Sequence, residues 1–469
     1  MDTPTNAPIL RAIRARRDEF IATLFRLLRQ PSISTQDIGV AECASLVVAV
    51  LQEHGLAARL LPTDGHPVVY AERRVSEDAN TLLIYGHYDV QPPEPLDAWL
   101  SPPFDPTIRD GRIYARGAGD NKGQFLAHVL ALRLLDELGR PPRLNVKFLI
   151  EGEEENSSPH LPAFVAAHAG TLAADALFAA DGPMHLSNRP IVFFGLRGIL
   201  TMELEAVGPN RDLHSGNFGG PVPNPIWTLV ELLGTMRSPE GRATIDGFYD
   251  RVVPPTAYER DAMAGIPFDA GASKADLGID EFAGPAELSY FEKIMFQPTL
   301  NITGIAGGYA GAGSKTVIPS RAVVKLETRL VPNQDPAEIF AKVERHVRAH
   351  APHVTIRSLG GTRPSKTSPE LPVSRAVTQA IADAYGVPPV VMPVLGASGP
   401  NYLFTDVLCM PAICATYGPH DENNHSPNEN MTIESFLSGI CASAFVLERV
   451  AAMPKGSFAQ PGSASPPNP

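Results

Sequence analysis

The chain has 469 residues, of which 44% are hydrophobic and 19% charged, and its formal net charge is −12. This near-average composition excludes a fibre and wholesale disorder, and the length predicts one very large or two ordinary domains. Lys and Arg number 39 against 51 Asp and Glu, which disfavours a nucleic-acid or anionic-membrane partner, because such proteins present a basic surface.

The four cysteines form no CxxC pair and are too few for a disulfide framework in a chain of this length. Residues 1–20 lack the apolar segment of a signal peptide, and no later run reaches the roughly 18 apolar residues that a membrane span requires. We therefore expect a cytoplasmic protein in a reducing compartment, without membrane contact.

The first part of the chain alternates helical and strand patterns. Residues 9–30 place apolar side chains on one helical stripe that ends before Pro31, and a second helical pattern covers Gln124–Leu138. Short apolar runs predict buried strands at Thr81–Tyr85, Leu144–Ile150, Ala176–Ala180 and Pro411–Thr416. The alternation indicates an α/β fold with a mostly parallel sheet.

The middle of the chain has a different pattern. Ile199–Ala206 and Ala322–Val331 alternate apolar with polar residues, which is typical of antiparallel strands with one solvated face. We therefore expect an α+β domain at residues 197–363, inserted into a first domain formed by residues 1–196 and 364–469.

Two segments have weaker patterns. Arg237–Phe296 is rich in Gly and Pro and predicts only loops and short helices. Residues 454–469 have the composition of a disordered tail.

Residues of metal-ligand type follow four of the predicted strands. They are His87 with Asp89, the run Glu151–Glu155, Asp181, and His420 with His425. Because the ligand crevice of an open α/β sheet lies beyond the carboxyl ends of its strands, we expect these groups to converge. Asp120, in a glycine-rich turn before the second helix, belongs with them. Imidazoles together with carboxylates suit a catalytic Zn²⁺ or Mn²⁺ site and not a structural thiolate zinc site.

Five motifs occur in order along the chain. They are Gly86–Val90 (GHYDV), Ala115–Gly123 (ARGAGDNKG), Glu151–Glu155 (EGEEE), Asp181 and His425–Glu429 (HSPNE). Together they resemble the signature of the M20 dinuclear metallopeptidases, in the carnosinase and dipeptidase-like branch. Interior segments that resemble the same branch are Asp212–Gly220, Lys315–Pro319 and Arg329–Asp335. The resemblance covers roughly residues 20–450 and implies a phosphorylase/hydrolase-like catalytic domain with an inserted lid and dimerisation domain.

By this resemblance, one divalent metal is held by His87, Asp120 and Asp181. The other is held by Asp120, Glu155 and His425, so that Asp120 bridges the pair. Zn²⁺ is the expected metal, with Mn²⁺ or Co²⁺ as alternatives.

The resemblance also implies a cis peptide bond between Asp120 and Asn121, where the family often has a second Asp. His420 is a rival to His425 as a ligand, but only His425 is followed by Ser-Pro-Asn-Glu. That context favours His425.

The three consecutive glutamates take different roles in the family pattern. Glu154 aligns with the general base and Glu155 with a metal ligand, which leaves Glu153 as a flanking acid. Asp89 aligns with a carboxylate that orients the imidazole of His87, although a loop-capping role for this Asp stays open.

Charge counting on this ligand set adds a further argument. Two divalent ions with three carboxylate ligands carry about +1, or zero with a hydroxide, which is too little to hold a substrate carboxylate strongly. We expect Arg329 to bind it, because a guanidinium pairs with carboxylate bidentately. The resemblance adds Thr316, Ser398 and His214 as substrate contacts, with His214 polarising the scissile carbonyl. Turn roles for His214 and Ser398 stay open.

The resemblance further implies a homodimer, in which His214 and Thr316 reach the neighbouring subunit's site. The resulting hypothesis is hydrolysis of the amide bond of dipeptides or small peptides, by a water activated between two divalent metals. Family members with Asp at the position of Asp181 tend to be dipeptidases or aminopeptidases. An N-acyl-amino-acid or carbamoyl amidohydrolase is the alternative. A non-catalytic metal-dependent binding protein is an alternative of another class, although it would not need Glu154 as a free base.

Overall fold

The computed structural model describes residues 7–458 and leaves residues 1–6 and 459–469 undescribed. Of the disordered tail expected at 454–469, residues 459–469 lie outside the described part of the chain. Residues 454–458 are described, and Phe458 among them is 2% exposed within a hydrophobic core. Among the helices of residues 7–458, none is long and apolar enough to cross a membrane.

Most of the helices lie on the two faces of a large sheet or on one face of a smaller one. They are α1 (Ala7–Ala15), α2 (Arg17–Arg29), α3 (Val40–Glu53), α4 (Lys122–Glu137), α5 (Leu161–Ala167), α6 (Ala169–Leu172), α7 (Ser215–Phe218), α8 (Pro225–Met236), α9 (Ala257–Ala264), α10 (Ala270–Leu277), α11 (Tyr290–Met295), α12 (Pro336–His350), α13 (Pro372–Tyr385) and α14 (Ile433–Ala451). The single stripe predicted for residues 9–30 is two helices, because Arg16 between them has a non-helical backbone.

The strands form two larger and two small sheets. They are β1 (Ala57–Leu61), β2 (Val68–Arg73), β3 (Asn80–His87), β4 (Thr107–Arg109), β5 (Arg112–Tyr114), β6 (Leu144–Glu151), β7 (Ala176–Ala180), β8 (Ile191–Phe193), β9 (Gly198–Val207), β10 (Leu213–His214), β11 (Thr299–Gly307), β12 (Val317–Ile318), β13 (Arg321–Leu330), β14 (Thr355–Thr362), β15 (Val390–Met392), β16 (Ala412–Ala415) and β17 (Asn430–Thr432).

The large sheet has the strand order β1-β2-β6-β3-β7-β16-β8-β15. Its centre is parallel, since β3 pairs in parallel with β6 and β7, and β7 with β16. One face packs on α4 and α14, and the other on α5 and on apolar residues near α9 and α11. Burial on both faces explains why these strands are continuous apolar runs. The α/β fold class with a mostly parallel sheet is confirmed.

The smaller sheet has the order β11-β13-β9-β14 and is antiparallel throughout. Alternate residues of β9 and β13 pack against α8 and α12 in a separate core, which confirms the predicted strands with one buried face. All four strands lie between residues 198 and 362. The proposed division into residues 1–196 with 364–469 and residues 197–363 stays a prediction.

The segment Arg237–Phe296 contains the short helices α9, α10 and α11, as its weak pattern predicted. It connects the core of the smaller sheet with one of the two cores of the large sheet. Phe248 packs in the core of the smaller sheet, whereas Met263 and Phe296 pack in a core of the large sheet.

A third sheet positions the last motif. β17 pairs with β5, and β5 with β4. Because β17 directly follows residues 425–429 while β5 precedes the turn that contains Asp120, this pairing brings two segments that are distant along the chain close together.

Candidate metal centre

The carboxyl ends of neighbouring strands bring the first group of side chains together. His87 ends β3, Asp181 follows β7, and Asp120 lies in the turn before α4. Nε2 of His87 is 3.1 Å from Oδ1 of Asp120 and 3.9 Å from Oδ2 of Asp181. The ligand atoms of these three residues all lie within 4.8 Å of one another.

A second group shares Asp120 with the first. Nε2 of His425 is 3.1 Å from Oδ2 of Asp120 and 3.2 Å from Oε2 of Glu155, and these three ligand atoms also lie within 4.8 Å of one another. The two oxygens of Asp120 thus face the two imidazoles separately. His420 belongs to neither group, and its Nδ1 lies 2.9 Å from Oδ1 of Asn188.

The environment of His87 shows that a cation fits this centre. Its side chain is fully buried, and its Nδ1 lies 3.1 Å from the carbonyl oxygen of Asp89. Nε2, in contrast, has no hydrogen-bond partner among the described residues, although carboxylate oxygens surround it. A buried polar atom is seldom left unpaired. With the proton on Nδ1, the Nε2 lone pair suits a metal ion shared with Asp120 and Asp181.

Asp89 connects His87 to the glutamate run. One of its oxygens lies 3.4 Å from Nδ1 of His87, and the backbone N–H groups of Glu154 and Glu155 donate to its carboxylate at 3.2 and 3.1 Å. Ser34 donates a further hydrogen bond at 2.7 Å. Asp89 therefore both contacts the imidazole and caps the turn that carries the two glutamates.

The turn before α4 is held from the opposite side by Glu429. This buried carboxylate accepts hydrogen bonds at 3.0 Å from the backbone N–H groups of Gly117, Gly119 and Asp120, and one from Arg116 at 2.8 Å. The peptide bond between Asp120 and Asn121 is cis. The sequence motif contained Glu429, but no role was predicted for it.

The pKa shifts arise because several acidic side chains are buried close to one another and to two histidines. Burial and the Asp120 charge raise the pKa of Asp181 to about 7. Hydrogen bonds to Asp120 and Glu155 raise the pKa of His425 to about 10. Burial opposes ionisation of Asp120, but hydrogen bonds with His425 and His87 hold its pKa below the usual range. The cluster therefore attracts positive charge.

Glu154 belongs to neither ligand group and faces the adjoining cleft. Burial raises its pKa well above the usual value, the His87 charge lowers it, and the neighbouring acids raise it further. Glu153 points elsewhere, since its carboxylate lies 2.9 Å from Nδ1 of His160.

The cleft has a volume of about 540 Å³ and lies between the two larger sheets. Glu154, Glu155 and His425 line one side, and Arg329 lines the other. Arg329 donates from Nη1 to Oγ of Ser398 at 2.8 Å and from Nε to Glu327 at 3.0 Å. Two of the expected substrate contacts therefore meet in this cleft.

His214 and Thr316 do not line the cleft of their own chain. His214 lies on β10, which pairs with β12 in the fourth, two-stranded sheet. The backbone N–H of Ser215 donates to the carbonyl oxygen of Thr316 at 3.0 Å. The two residues are thus neighbours on an exposed part of the surface.

Comparisons with known proteins agree with this geometry. The family model described as peptidase family M20/M25/M40 matches residues 83–449. The Cys-Gly metallodipeptidase dug1 of Schizosaccharomyces pombe is 30% identical, over 91% of this chain and 94% of that protein. The human Beta-Ala-His dipeptidase is 29% identical, over 92% and 85%.

Solved structures show the same fold. The M20 family metallo-carboxypeptidase Sso-CP2 of Sulfolobus solfataricus superposes with a TM-score of 0.85 at 35% identity, over 93% of this chain and 100% of that chain. Human carnosine dipeptidase 1 gives a TM-score of 0.77 at 27% identity, over 96% and 99%.

Proposed function

The chain belongs to the M20/M25/M40 peptidase family, and on this premise we propose that it hydrolyses the amide bond of dipeptides or small peptides with two divalent metal ions. The observation that carries the proposal is the pair of three-residue groups sharing Asp120. Relatives named as Cys-Gly and Beta-Ala-His dipeptidases support a dipeptide as the substrate.

His87, Asp120 and Asp181 would hold one ion, and Asp120, Glu155 and His425 the other. The mixed nitrogen and oxygen donors suit Zn²⁺, with Mn²⁺ or Co²⁺ as alternatives. Such ions, when bound, supply Lewis acidity to the substrate carbonyl and lower the pKa of water.

Glu154 is the proposed general base. It lies in the cleft beside the ligands but outside both groups, so its carboxylate is free to take a proton from the attacking water. The same carboxyl group would then deliver that proton to the nitrogen of the leaving amine.

Arg329 is the proposed binding group for the substrate carboxylate. Glu327 occupies its Nε and Ser398 accepts from Nη1, which fixes the plane of the guanidinium in the cleft. Ser398 would contact the same end of the substrate. Holding one end of the peptide there would place the amide bond between Arg329 and the metal ligands.

A homodimer is proposed to complete the site with His214 and Thr316 of the partner subunit. In this arrangement, His214 would polarise the scissile carbonyl. The support is an apolar face beside β11, an edge strand of the smaller sheet. Ile305 on β11 and Trp227 on α8 are 63% and 61% exposed, and such a face is typical of a protein interface.

A cytoplasmic location stays a prediction, supported by four free cysteines.

The experiment that tests the function is a dipeptide-library assay of the protein reconstituted with Zn²⁺, Mn²⁺ or Co²⁺. We expect turnover that a chelator abolishes and added metal restores. N-acetyl and N-carbamoyl amino acids form a parallel arm. Faster hydrolysis of these compounds would replace the dipeptidase proposal by the amidohydrolase alternative, and no hydrolysis by the metal-loaded protein would favour a binding protein.

A further inference from the structure

Glu422 is a buried carboxyl group without a visible partner. Its side chain is 1% exposed, and within residues 7–458 neither Oε1 nor Oε2 has a hydrogen-bond partner. Burial of an unpaired acid is costly, and buried polar groups are usually hydrogen-bonded. The position of Glu422 therefore needs an explanation that packing alone does not give.

The Glu422 carboxyl group lies where three ligand-bearing loops meet. A Cβ atom on Gly119 would be 2.5 Å from Oε2 of Glu422. A Cβ atom on Gly418 would overlap the same oxygen and would lie 3.2 Å from the carbonyl oxygen of Gly182. Gly119 precedes Asp120, Gly182 follows Asp181, and Gly418 begins the loop that leads to His425. Two glycines thus make the slot that this carboxyl group fills.

The charges around this slot are mostly negative. Burial, followed by the charges of Asp120, Glu429 and Asp181, raises the pKa of Glu422 well above its usual value, and His425 acts in the opposite direction. The nearby guanidinium of Arg116 is already paired with Glu429 at 2.8 Å. A pair of divalent cations is the group that would offset this accumulation of acids.

We propose that the Glu422 carboxylate is a positioning residue that strengthens binding of the metal pair by its charge, without coordinating either ion. The inference rests on the proposed function only for the existence of that pair. Before a hydroxide binds, two divalent ions with the carboxylates of Asp120, Glu155 and Asp181 carry about +1, and the charge of Glu422 lowers this total to about zero. The carboxylate destabilises the metal-free protein and is compensated when the ions bind.

The test is Glu422→Gln, which keeps the shape of the side chain and removes its charge. In competition titrations with a chelator, we expect Zn²⁺ affinity to fall about 10- to 100-fold, the usual effect of losing a group behind the ligands. The metal-free variant should melt at a higher temperature than metal-free wild type. A group that merely fills space would leave both quantities unchanged.

Two further variants separate charge from shape. Glu259 is also buried but is paired with Lys366 on another part of the molecule, so Glu259→Gln should lower the melting temperature and leave Zn²⁺ affinity unchanged. Glu422→Asp keeps the charge on a shorter side chain. We expect it to melt lower than wild type but to bind Zn²⁺ more tightly than Glu422→Gln. If the Gln variant folds poorly, Glu422→Asp is compared with wild type instead. Affinity close to that of wild type is then expected, and a 10- to 100-fold loss despite the retained charge would overturn the role of that charge.

The titrations and melting measurements need no substrate, so they test the role of Glu422 separately from the proposed hydrolysis. Wild-type Zn²⁺ affinity in Glu422→Gln, or equal affinities in the Gln and Asp variants, overturns the role of Glu422. A wild-type protein that binds two Zn²⁺ ions but hydrolyses no peptide overturns the function and leaves this role standing. A wild-type protein that binds no metal pair overturns both.

Discussion

The two sides of the cleft differ in how completely one chain builds them. On the large-sheet side, the side chains of His87, Asp120 and Glu155 are held by strand ends and by Asp89 and Glu429. On the smaller-sheet side, Arg329 is in place. His214 on β10 and Thr316 just before β12 are exposed, and neither lines the cleft of its own chain. One chain thus suffices to gather the candidate metal ligands but not every candidate substrate contact.

The largest effect on activity is expected from a change on the large-sheet side of the cleft. Glu154→Gln removes the proposed base while it keeps the side-chain volume. We expect kcat on dipeptides to fall about 10²- to 10⁴-fold, with metal content near two ions per subunit by elemental analysis. Glu153→Gln is the matched control, since Glu153 is engaged with His160, and should retain most of the activity. Wild-type rates in Glu154→Gln would contradict the assignment.

The smaller-sheet side, where His214 is proposed to come from the partner subunit, is tested by subunit complementation. His214→Ala alone should lower kcat about 10²- to 10³-fold, the usual cost of losing a donor to the developing oxyanion. Dissociated and remixed with Glu154→Gln subunits, it should regain about a quarter of wild-type activity, because about half of random dimers are mixed and each has one intact site.

The activity of the remixed subunits therefore shows whether His214 acts in the site of its own chain or in that of the partner. No recovery after proven exchange of subunits would show that His214 acts in its own chain or not at all. Size-exclusion chromatography with light scattering provides the second readout. Trp227→Glu, on the exposed face of α8, should shift the protein towards monomers and reduce activity without removing the metals.

Arg329 is the contact that the smaller sheet already supplies. In Arg329→Met we expect kcat/KM for dipeptides with a free carboxylate to fall about 10- to 100-fold, the range for a lost charged hydrogen bond. Peptides with a C-terminal amide should be affected far less. Arg321→Met, on the same strand but paired with Glu205, is the control. Equal losses on both substrate types would show that Arg329 supports the fold and not the carboxylate.

Sequence patterns predicted those features that depend on local periodicity. The strands β3, β6 and β7 are continuous apolar runs, and their parallel pairing makes residues at their carboxyl ends converge. The capping boxes of α9, Thr256 with Glu259, and of α11, Ser289 with Glu292, are sequence signals that would have placed these helices more sharply.

The roles of Glu422 and Glu429 could not be predicted in the same way. Both lie in a loop, where a glutamate is solvated in most proteins, and nothing in the nearby sequence marks them as buried. Their burial comes from contacts with the turn at Gly117–Asp120, about three hundred residues away along the chain. The pairing of β17 with β5 brings the loop with these two glutamates next to that turn.

The smallest effect concerns stability beneath the large sheet, where His128 is 1% exposed. Its Nδ1 lies 2.8 Å from Oγ of Ser443, whereas its Nε2 has no partner in the described part of the chain. Burial lowers the pKa of His128 to about 3, against about 6.5 in the unfolded chain. Between these values the unfolded state binds the extra proton, so the stability of the fold falls as the pH falls.

For one such group, the slope reaches about 1.4 kcal/mol per pH unit between pH 6 and 4. His128→Gln should therefore be less stable than wild type near pH 7, because ring packing against Phe178 is lost. Its unfolding free energy, measured by urea titration of the metal-free protein, should decline less steeply towards pH 4. His353→Gln alters an exposed histidine and should keep the wild-type slope. An unchanged slope in His128→Gln would mean that the loss of unfolding free energy at acid pH comes from the buried carboxylates on the large-sheet side and not from His128.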